Sequence, residues 1–301
     1  MSDSVISVEK LTKDYGNGRG IFDVSLDIHE GEVFGYLGTN GSGKTTTIRH
    51  MMGFLKADSG KVTVNGLNPW ENAPDVMKSV SYIPGEIAFP DLKTGTDFLK
   101  VQAQFLGIRD FSYMNHLIDI LGLDPSANLK RMSKGMKQKT AIVAALMGDK
   151  NILILDEPTT GLDPLMRETF LELIREEKSK GRTIFMSSHI FEEIEDVCDR
   201  VAIINGGKIP SVLNLSEFRH GSVRTFNVEF SDCRSADIFC KRISGGTAED
   251  KTVKFEAVAK DVDAAFKAMD GLEIVSMSET HPDLHEYFMK TLQSNKLKEA
   301  Q

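Results

Sequence analysis

The chain has 301 residues, of which 41% are apolar and 27% charged, so it can bury one large core or two smaller ones. This composition is typical of folded globular proteins and excludes disordered and fibrous classes. The net charge of −8 argues against general nucleic-acid binding, and we predict no nucleic-acid partner.

The sequence shows neither a membrane span nor a secretory signal. Its longest uninterrupted apolar run, residues 141–147, is far shorter than the roughly 20 residues needed to cross a bilayer. The first four residues lack a basic start and an apolar stretch, so we expect a cytoplasmic protein. The three cysteines, Cys198, Cys233 and Cys240, form no C-x-x-C spacing, which favours buried thiols over disulfides or a zinc site.

Two runs of alternating apolar residues open the chain, at 5–8 and 21–28, and a glycine-rich turn at 16–20 separates them. This pattern predicts a small antiparallel sheet. Tyr15 stands just before the turn. Its ring can stack on a nucleobase if the sheet folds over the next motif, or it can be an ordinary strand-end tyrosine.

A phosphate-binding loop is predicted at 38–46, where the sequence fits the spacing G-x-x-x-x-G-K-[ST]. A buried strand is predicted before the loop, at 32–37, and a helix after it, at 45–55. Backbone N–H groups and the helix N-terminus suit a phosphate, Lys44 suits the outer phosphates, and the Thr45 hydroxyl suits Mg²⁺. The residues predicted to bind here are Gly38, Asn40, Gly41, Ser42, Gly43, Lys44, Thr45 and Thr46.

Short strands are predicted at 60–66 and 79–83, and then the character of the sequence changes. Between about 87 and 148 the apolar residues have helical spacing. The segment therefore reads as a helical insertion, and its predicted helices are 97–106, 113–121 and 137–147. Ser133 is placed to cap the last helix, whose first N–H groups can receive an anion, although this is also what an ordinary helix start looks like.

Two adjacent acids, Asp156 and Glu157, end an apolar strand that begins at Ile152. Ligands bind at the carboxyl ends of parallel strands, where the phosphate loop also emerges, so we predict one shared site. Asp156 is placed to hold Mg²⁺, and Glu157 to orient and deprotonate the attacking water. The alternative is a pair of solvated acids at a strand end.

A long amphipathic helix is predicted to run to about residue 180, followed by a strand at 183–186 that leads to His189. There His189 can donate a hydrogen bond to the outermost phosphate, although a lone histidine is more often structural. Strands at 201–205 and 208–212 flank Gly206-Gly207, which is a hairpin signal.

A second domain is predicted after a boundary near residues 213–222. Its strands, at 223–230, 251–256 and 272–277, alternate with helices at 236–243, at 262–269 and from about 282. It contains no nucleophile, metal cluster or glycine loop, so we assign it regulation or dimer contacts. The expected fold is α/β: a P-loop nucleotide-hydrolase core with an antiparallel β subdomain and a helical insertion over 1–213, and a small α+β domain over 214–301.

Taken together, the motifs resemble those of the nucleotide-binding subunit of an ABC transporter, over about residues 5–212. Tyr15 matches the adenine-stacking position, 38–46 the phosphate loop, and 132–136 the family signature L-S-G-G-Q. Three later motifs are matched by 155–158, by 161–163 and by His189. The loop 133–138 and the C-terminal module ending at 281–288 look like the drug- and antibiotic-export branch.

Two segments depart from the family pattern. In the signature, Ser133 and Gly135 are kept, while the first, third and last positions differ. At the place of Gly85 the family normally has a glutamine, whose amide approaches Mg²⁺ and the attacking water. Gly85 has no such side chain, so either Glu86 or water must replace it.

The resemblance implies an ATPase that uses ATP and Mg²⁺ and pairs with a second nucleotide-binding domain, either a second copy or a close paralogue. Each ATP would lie between the phosphate loop of one chain and Ser133 to Met136 of the other, so Ser133 and Gly135 would also bind nucleotide. The resemblance further implies an integral membrane permease as partner, export of a drug, antibiotic, peptide or lipid, and a peripheral place on the inner face of the cell membrane.

The alternative function is a soluble ABC-type ATPase that acts on ribosomes or nucleic acid without a membrane partner. Ribosome-acting relatives usually carry two such domains in one chain, and the DNA-repair type inserts a long coiled coil. The stretch from Thr46 to Ser133 contains no heptad run. The sequence therefore favours the transporter subunit.

Overall fold

The computed structural model describes residues 4–221, 224–243, 245–258, 261–280, 284–289 and 291. The chain divides into two compact units, Met1–Val212 and Leu213–Gln301. In these described ranges no helix is both long and apolar enough to cross a membrane.

Strands and helices alternate through most of the first unit. Its strands are β1 (Ser4–Asp14), β2 (Gly20–His29), β3 (Val33–Leu37), β4 (Ser59–Val64), β5 (Val80–Ile83), β6 (Ile152–Asp156), β7 (Thr183–Ser188), β8 (Arg200–Asn205) and β9 (Lys208–Asn214). Its helices are α1 (Lys44–Met51), α2 (Ala73–Ser79), α3 (Gly95–Phe105), α4 (Ser112–Ile120), α5 (Lys134–Leu146), α6 (Pro164–Ser179) and α7 (Phe191–Val197).

Two sheets form the frame of this unit. The smaller one has the order β2-β1-β4 and is antiparallel, as predicted. The larger one has the order β5-β6-β7-β3-β8-β9, and the pairs from β5 to β8 are parallel. Because β6, β7 and β3 are parallel neighbours, their carboxyl ends meet at one edge. The two acids, His189 and the phosphate loop all emerge there.

Apolar side chains of both sheets and of α1 form a common core. β3 and β6 are buried at every residue, which explains their continuous apolar runs, since parallel strands are covered on both faces. Phe34 of β3 stacks on Phe185 of β7 with ring centroids 6.0 Å apart. Ile48 and Met51 of α1 pack into the same cluster. The phosphate loop is therefore held between a buried strand and a helix anchored in the core.

The helical insertion is confirmed, with α3, α4 and α5 close to their predicted positions. α3 begins at Gly95, two residues before the predicted start, because Thr94 and Asp97 form a capping box. The side chain of Thr94 accepts from the Asp97 N–H, and the Asp97 carboxylate accepts from the Thr94 N–H. Such reciprocal bonds fix the first turn of the helix.

The second unit is the expected small α+β fold. It contains α8 (Leu215–Gly221), β10 (Arg224–Phe230), α9 (Cys233–Arg242), β11 (Thr247–Glu249), β12 (Thr252–Ala257), α10 (Val262–Ala268), β13 (Ile274–Thr280) and a last helix α11 at 284–289. The sheet order is β11-β12-β10-β13. Phe226, Phe230, Phe239 and Phe255 dominate its core. Residues 223 and 281–283, where we predicted a strand to begin and the last helix and its motif to start, lie outside the described residues.

Five short elements of the described chain have no counterpart in the sequence prediction, namely α2, α7, α8, β11 and a 3₁₀ helix at Leu129–Arg131. Each has seven residues or fewer, and isolated helices of that length are marginal, so tertiary packing decides whether they form. The prediction of buried thiols is also only partly right. Cys198 is buried, Cys240 is partly buried and Cys233 is exposed, and all three are free.

Candidate active site

The phosphate loop connects β3 to α1 with a backbone that needs glycine. Gly41 and Gly43 have φ values of 80° and 114°, in the region that L side chains rarely adopt. At Gly38 a Cβ atom would lie 2.5 Å from the carbonyl oxygen of Ile204 in β8. The loop therefore curls tightly against the end of β8.

Lys44 lies at the centre of this curl and is only 4% exposed. Its Nζ donates to the carbonyl oxygens of Gly38, at 2.7 Å, and Thr39, at 3.1 Å. The third neighbour of Nζ is Glu157 Oε1, at 3.1 Å. The ammonium group is thus held by the loop and joined to the acid that follows β6.

Asp156 ends β6 and is 0% exposed. Its Oδ1 accepts a hydrogen bond from Ser187 Oγ at 2.7 Å, whereas Oδ2 is buried with no hydrogen-bond partner. A Cβ atom at Gly85 would lie 3.1 Å from Oδ2, so the neighbouring loop approaches this oxygen with backbone only.

The residues present fit Mg²⁺. Magnesium prefers oxygen ligands and is usually bound by one or two carboxylates together with substrate phosphates and water. Asp156 offers a buried carboxylate oxygen without a protein partner, and Thr45 offers a hydroxyl at the start of α1. A cage of protein carboxylates is not required, and no group of three or more metal-binding side chains occurs in the described part of the chain.

Glu157 brings three predicted catalytic residues together. Its Oε1 pairs with Lys44, and its Oε2 lies 3.2 Å from His189 Nδ1. Burial opposes ionisation of this carboxyl, but the hydrogen bond and charge of Lys44 outweigh it and lower the pKa of Glu157. A carboxylate that is ionised near neutral pH is what a proton acceptor requires.

His189 is 41% exposed at the carboxyl end of β7, and buried hydrogen bonds hold the backbone beside it. Ser188 Oγ donates to Glu193 Oε2 at 2.7 Å and accepts from the Ile190 N–H at 3.0 Å. Glu193 in turn pairs with Arg167 of α6 at 3.2 Å. The imidazole is therefore open to a ligand while the residues on either side of it are fixed.

Tyr15 lies in the turn between β1 and β2 and is 54% exposed. Its backbone N–H donates to the Arg19 carbonyl at 2.8 Å, which closes the turn. The start of β2 packs on the loop, since a Cβ at Gly43 would lie 2.6 Å from Ile21 Cγ2. The ring of Tyr15 is thus exposed on a turn whose far end reaches the phosphate loop.

The signature segment has its contacts elsewhere. Ser133 is exposed and caps α5, where its Oγ accepts from the Met136 N–H at 3.2 Å. A Cβ at Gly135 would lie 2.9 Å from the Gly161 carbonyl oxygen, and Gln138 Nε2 donates to the Pro158 carbonyl at 2.6 Å. Within one chain, Gly135 and Gln138 therefore contact the loop after β6, while the hydroxyl of Ser133 caps its own helix.

Several residues of the site carry no predicted role. Ser187 joins both acids, Ser188 and Glu193 fix the His189 segment, and Gln138 ties α5 to the loop after β6. Their signal in the sequence is a polar residue at a buried position of an apolar strand or helix. Glu86, a predicted replacement for the glutamine missing at Gly85, is exposed.

An apolar groove of about 260 Å³ lies between the edge strand β5 and the helical insertion. Its lining includes Met77, Tyr82, Ile87, Phe98, Leu106 and Ala145. The groove begins beside Pro84, next to Gly85. It therefore adjoins the loop that reaches Asp156.

Comparison with known proteins gives consistent matches. The family model described as ABC transporter matches residues 21–160. The bacitracin transport ATP-binding protein BcrA of Bacillus licheniformis is 32% identical over 242 residues, which is 79% of each chain. BcrA of Enterococcus faecalis is 30% identical over 297 residues, 96% of each chain. A solved structure of an ATP binding subunit of an ABC transporter aligns with a TM-score of 0.64 and 30% identity, covering 72% of this chain and 93% of that one.

Proposed function

Since the chain belongs to the family of ABC transporter ATP-binding proteins, we propose that Lys44, Asp156, Glu157 and His189 carry out its ATP hydrolysis. Members of this family bind ATP with Mg²⁺ and hydrolyse it to power transport, so the chain is an ATPase. The observation that carries the assignment of residues is the contact of Glu157 with both Lys44 and His189.

In the proposed reaction a water oxygen attacks the γ-phosphorus in line with the leaving oxygen, and the bond from γ-phosphorus to the bridging oxygen breaks. Glu157 orients this water and accepts its proton. Lys44 and the loop N–H groups stabilise the negative charge on the phosphates, and His189 donates a hydrogen bond to the γ-phosphate. Asp156 and Thr45 would hold Mg²⁺, which would neutralise negative charge on the phosphates when bound. Gly38, Asn40, Gly41, Ser42, Gly43 and Thr46 complete the phosphate site.

ATP-binding subunits of this family dimerise, and we propose that the partner is a second copy of this chain. Each copy carries both a phosphate loop and a signature, so two copies in head-to-tail contact complete two sites. Ser133 supports this arrangement because it is exposed while it caps α5. In the dimer, Ser133 and Gly135 face the γ-phosphate that is bound to the phosphate loop of the other copy. Tyr15 stacks on the adenine.

The family works with membrane permeases, and the permease of this chain docks, in our proposal, at the groove between β5 and the helical insertion. The groove is apolar and adjoins the loop near Asp156, so a docked segment is close enough to affect the site. Two relatives are bacitracin transport proteins, which supports export of a drug, antibiotic, peptide or lipid. The chain then lies in the cytoplasm on the inner face of the cell membrane, and its C-terminal unit has a regulatory or dimer-contact role.

The assignment of Glu157 is tested with Glu157→Gln. This change keeps the size of the side chain but removes the proton acceptor, so turnover is expected to fall at least about a hundredfold while ATP binding is retained. The matched control is Glu172→Gln, because Glu172 is an exposed acid of α6. Near-normal turnover in Glu157→Gln removes Glu157 from the role of base.

The proposed partner is tested by purifying the tagged chain from detergent-solubilised membranes. We expect an integral membrane protein in stoichiometric amount, and a substitution in the groove such as Ile87→Glu should release it. A chain that brings down no membrane protein contradicts the proposed docking.

A further inference from the structure

We propose that Ser187 is a positioning residue whose single hydroxyl fixes both acids of the ATPase site. It is fully buried at the carboxyl end of β7, next to β6. The proposal rests on the proposed function of Asp156 and Glu157, and it adds how their geometry is set.

The first contact of the hydroxyl decides which oxygen of Asp156 remains available. Ser187 Oγ donates its proton to Oδ1 at 2.7 Å. Oδ2 is buried without a hydrogen-bond partner and faces Gly85, which has no side chain. One carboxylate oxygen is therefore used inside the protein and the other is left for a cation. Hydrogen bonds of this kind orient metal ligands and restrict their rotation.

The second contact acts on the backbone of Glu157. The Glu157 N–H donates to Ser187 Oγ at 3.0 Å and to the Ser187 carbonyl oxygen at 3.2 Å. Glu157 has φ 48°, a conformation that is uncommon for a residue with a Cβ atom and persists where surrounding contacts hold it. This turn directs its carboxylate toward Lys44 and His189.

A serine hydroxyl can donate one hydrogen bond and accept another at the same time, as both contacts require. It has one proton to donate and lone pairs with which to accept, and here the proton goes to Asp156 while a lone pair receives the Glu157 N–H. Alanine supplies neither bond and leaves Oδ1 of a buried carboxylate without its donor. Threonine keeps the hydroxyl and adds only a methyl group.

The experiment measures binding of a fluorescent ATP analogue at varied Mg²⁺ concentration, in parallel with ATP turnover, for Ser187→Ala and Ser187→Thr. In Ser187→Ala the Mg²⁺ concentration for half-maximal binding should rise about 10- to 100-fold, the range typical for the loss of a hydrogen bond to a metal ligand. Affinity for the analogue in EDTA should stay close to that of the wild type, because the hydrogen bonds of the Ser187 hydroxyl go to Asp156 and Glu157.

The matched control is Ser188→Ala. Ser188 is also buried and also makes two hydrogen bonds, but to Glu193 and Ile190 rather than to the acids. It should lose thermal stability comparably, and its turnover should also fall because Ser188 fixes the His189 segment, but nucleotide binding should keep the wild-type Mg²⁺ dependence. Ser187→Thr should restore the Mg²⁺ dependence at least in part. If the threonine variant does not fold, the difference in Mg²⁺ dependence between Ser187→Ala and Ser188→Ala still tests the proposal.

An unchanged Mg²⁺ dependence in folded Ser187→Ala overturns the proposal, and so does an equal shift in Ser188→Ala. Both results leave the proposed function in place if Glu157→Gln still abolishes turnover. A different result would contradict the proposed function itself. In that case Glu157→Gln would have normal turnover and Asp156→Asn would have a normal Mg²⁺ dependence.

Discussion

Lys44 and Ser133 both stand at the N-terminus of a helix that is suited to a phosphate, but their surroundings differ. Lys44 is buried in the phosphate loop and bound by two carbonyl oxygens and Glu157. Ser133 is exposed, and its hydroxyl caps its own helix by accepting from the Met136 N–H. The N–H groups at both helix starts suit an anion, and the first start lies beside Glu157 of the same chain.

The difference agrees with the proposed dimer, in which the phosphate loop and the signature of one chain belong to two different sites. The phosphate loop, Asp156, Glu157 and His189 meet at one sheet edge. The signature segment instead packs on the loop after β6 through Gly135 and Gln138. A substitution in the phosphate loop should therefore weaken nucleotide binding by a single chain. A substitution in the signature should act only when two chains meet.

The largest effect is expected from Lys44→Met. Loss of the ammonium removes a charged donor to the outer phosphates, so ATP affinity of the dilute chain should fall about a hundredfold. Isothermal titration measures this. Lys61→Met, at an exposed lysine of β4, is the control and should bind normally. Unchanged ATP affinity in Lys44→Met would contradict the assignment of nucleotide binding to the phosphate loop of a single chain.

Ser133→Asp is the corresponding change in the signature. Aspartate keeps the helix cap, so the fold and single-chain ATP binding should be unchanged. The added negative charge repels a phosphate bound by the other copy, and turnover should fall at least about tenfold. Ser133→Asn keeps the cap without the charge and should retain most of the turnover. Weaker ATP binding by dilute Ser133→Asp contradicts the assignment to a second chain.

A smaller effect on the phosphate-loop side is expected from Tyr15→Ala. Stacking of a base on an aromatic ring contributes about 1–3 kcal/mol, so ATP affinity should fall roughly tenfold. Tyr15→Phe keeps the ring and should bind as the wild type does. Because the phosphates are untouched, inorganic triphosphate should bind both variants equally. A parallel loss of triphosphate binding would assign Tyr15 to the structure of the turn instead.

The smallest effect is expected at the hydrogen bonds that join helix α4 of the helical insertion to helix α6. Tyr113 of α4 donates to buried Glu177 of α6 at 2.5 Å and accepts from Lys180, whose Nζ lies 4.3 Å from the ring centroid. Tyr113→Phe keeps the ring but removes these bonds, so the free energy of unfolding should fall by about 1 kcal/mol. Single-chain ATP affinity should not change. Urea denaturation measures the free energy of unfolding. A wild-type midpoint in Tyr113→Phe would contradict a stabilising role for the hydrogen bonds of Tyr113.

Much of this architecture could be predicted because the signals are local. Apolar runs that end in glycine or acids predicted β3 and β6, and the order of the motifs predicted which strand ends carry the site. The short α7 was missed because its support is tertiary. Ile194 packs where a Cβ atom at Gly35 of β3 would lie, 2.9 Å away, and no local pattern encodes that contact. β11 is fully exposed and forms only by pairing with β12.

In the candidate site, too, residues with a local sequence signal could be predicted, and residues that depend on tertiary contacts could not. Lys44, Asp156, Glu157 and His189 belong to spaced motifs and could be proposed as site residues from the sequence, and the comparisons confirm the family that those motifs indicated. The role of Ser187 could not be identified, because it depends on the alignment of β6 beside β7, which places Ser187 opposite Asp156. The two residues are 31 positions apart, and only the sheet brings them together.

The measurement that tests the shared site most directly is ATP turnover in a mixture of Lys44→Met and Ser133→Asp. Each variant alone should be nearly inactive. A mixed dimer pairs the intact phosphate loop of one chain with the intact signature of the other, so random mixing should restore up to about a quarter of wild-type turnover. Turnover in the mixture that equals the mean of the two variants alone would contradict a site built from two copies of this chain.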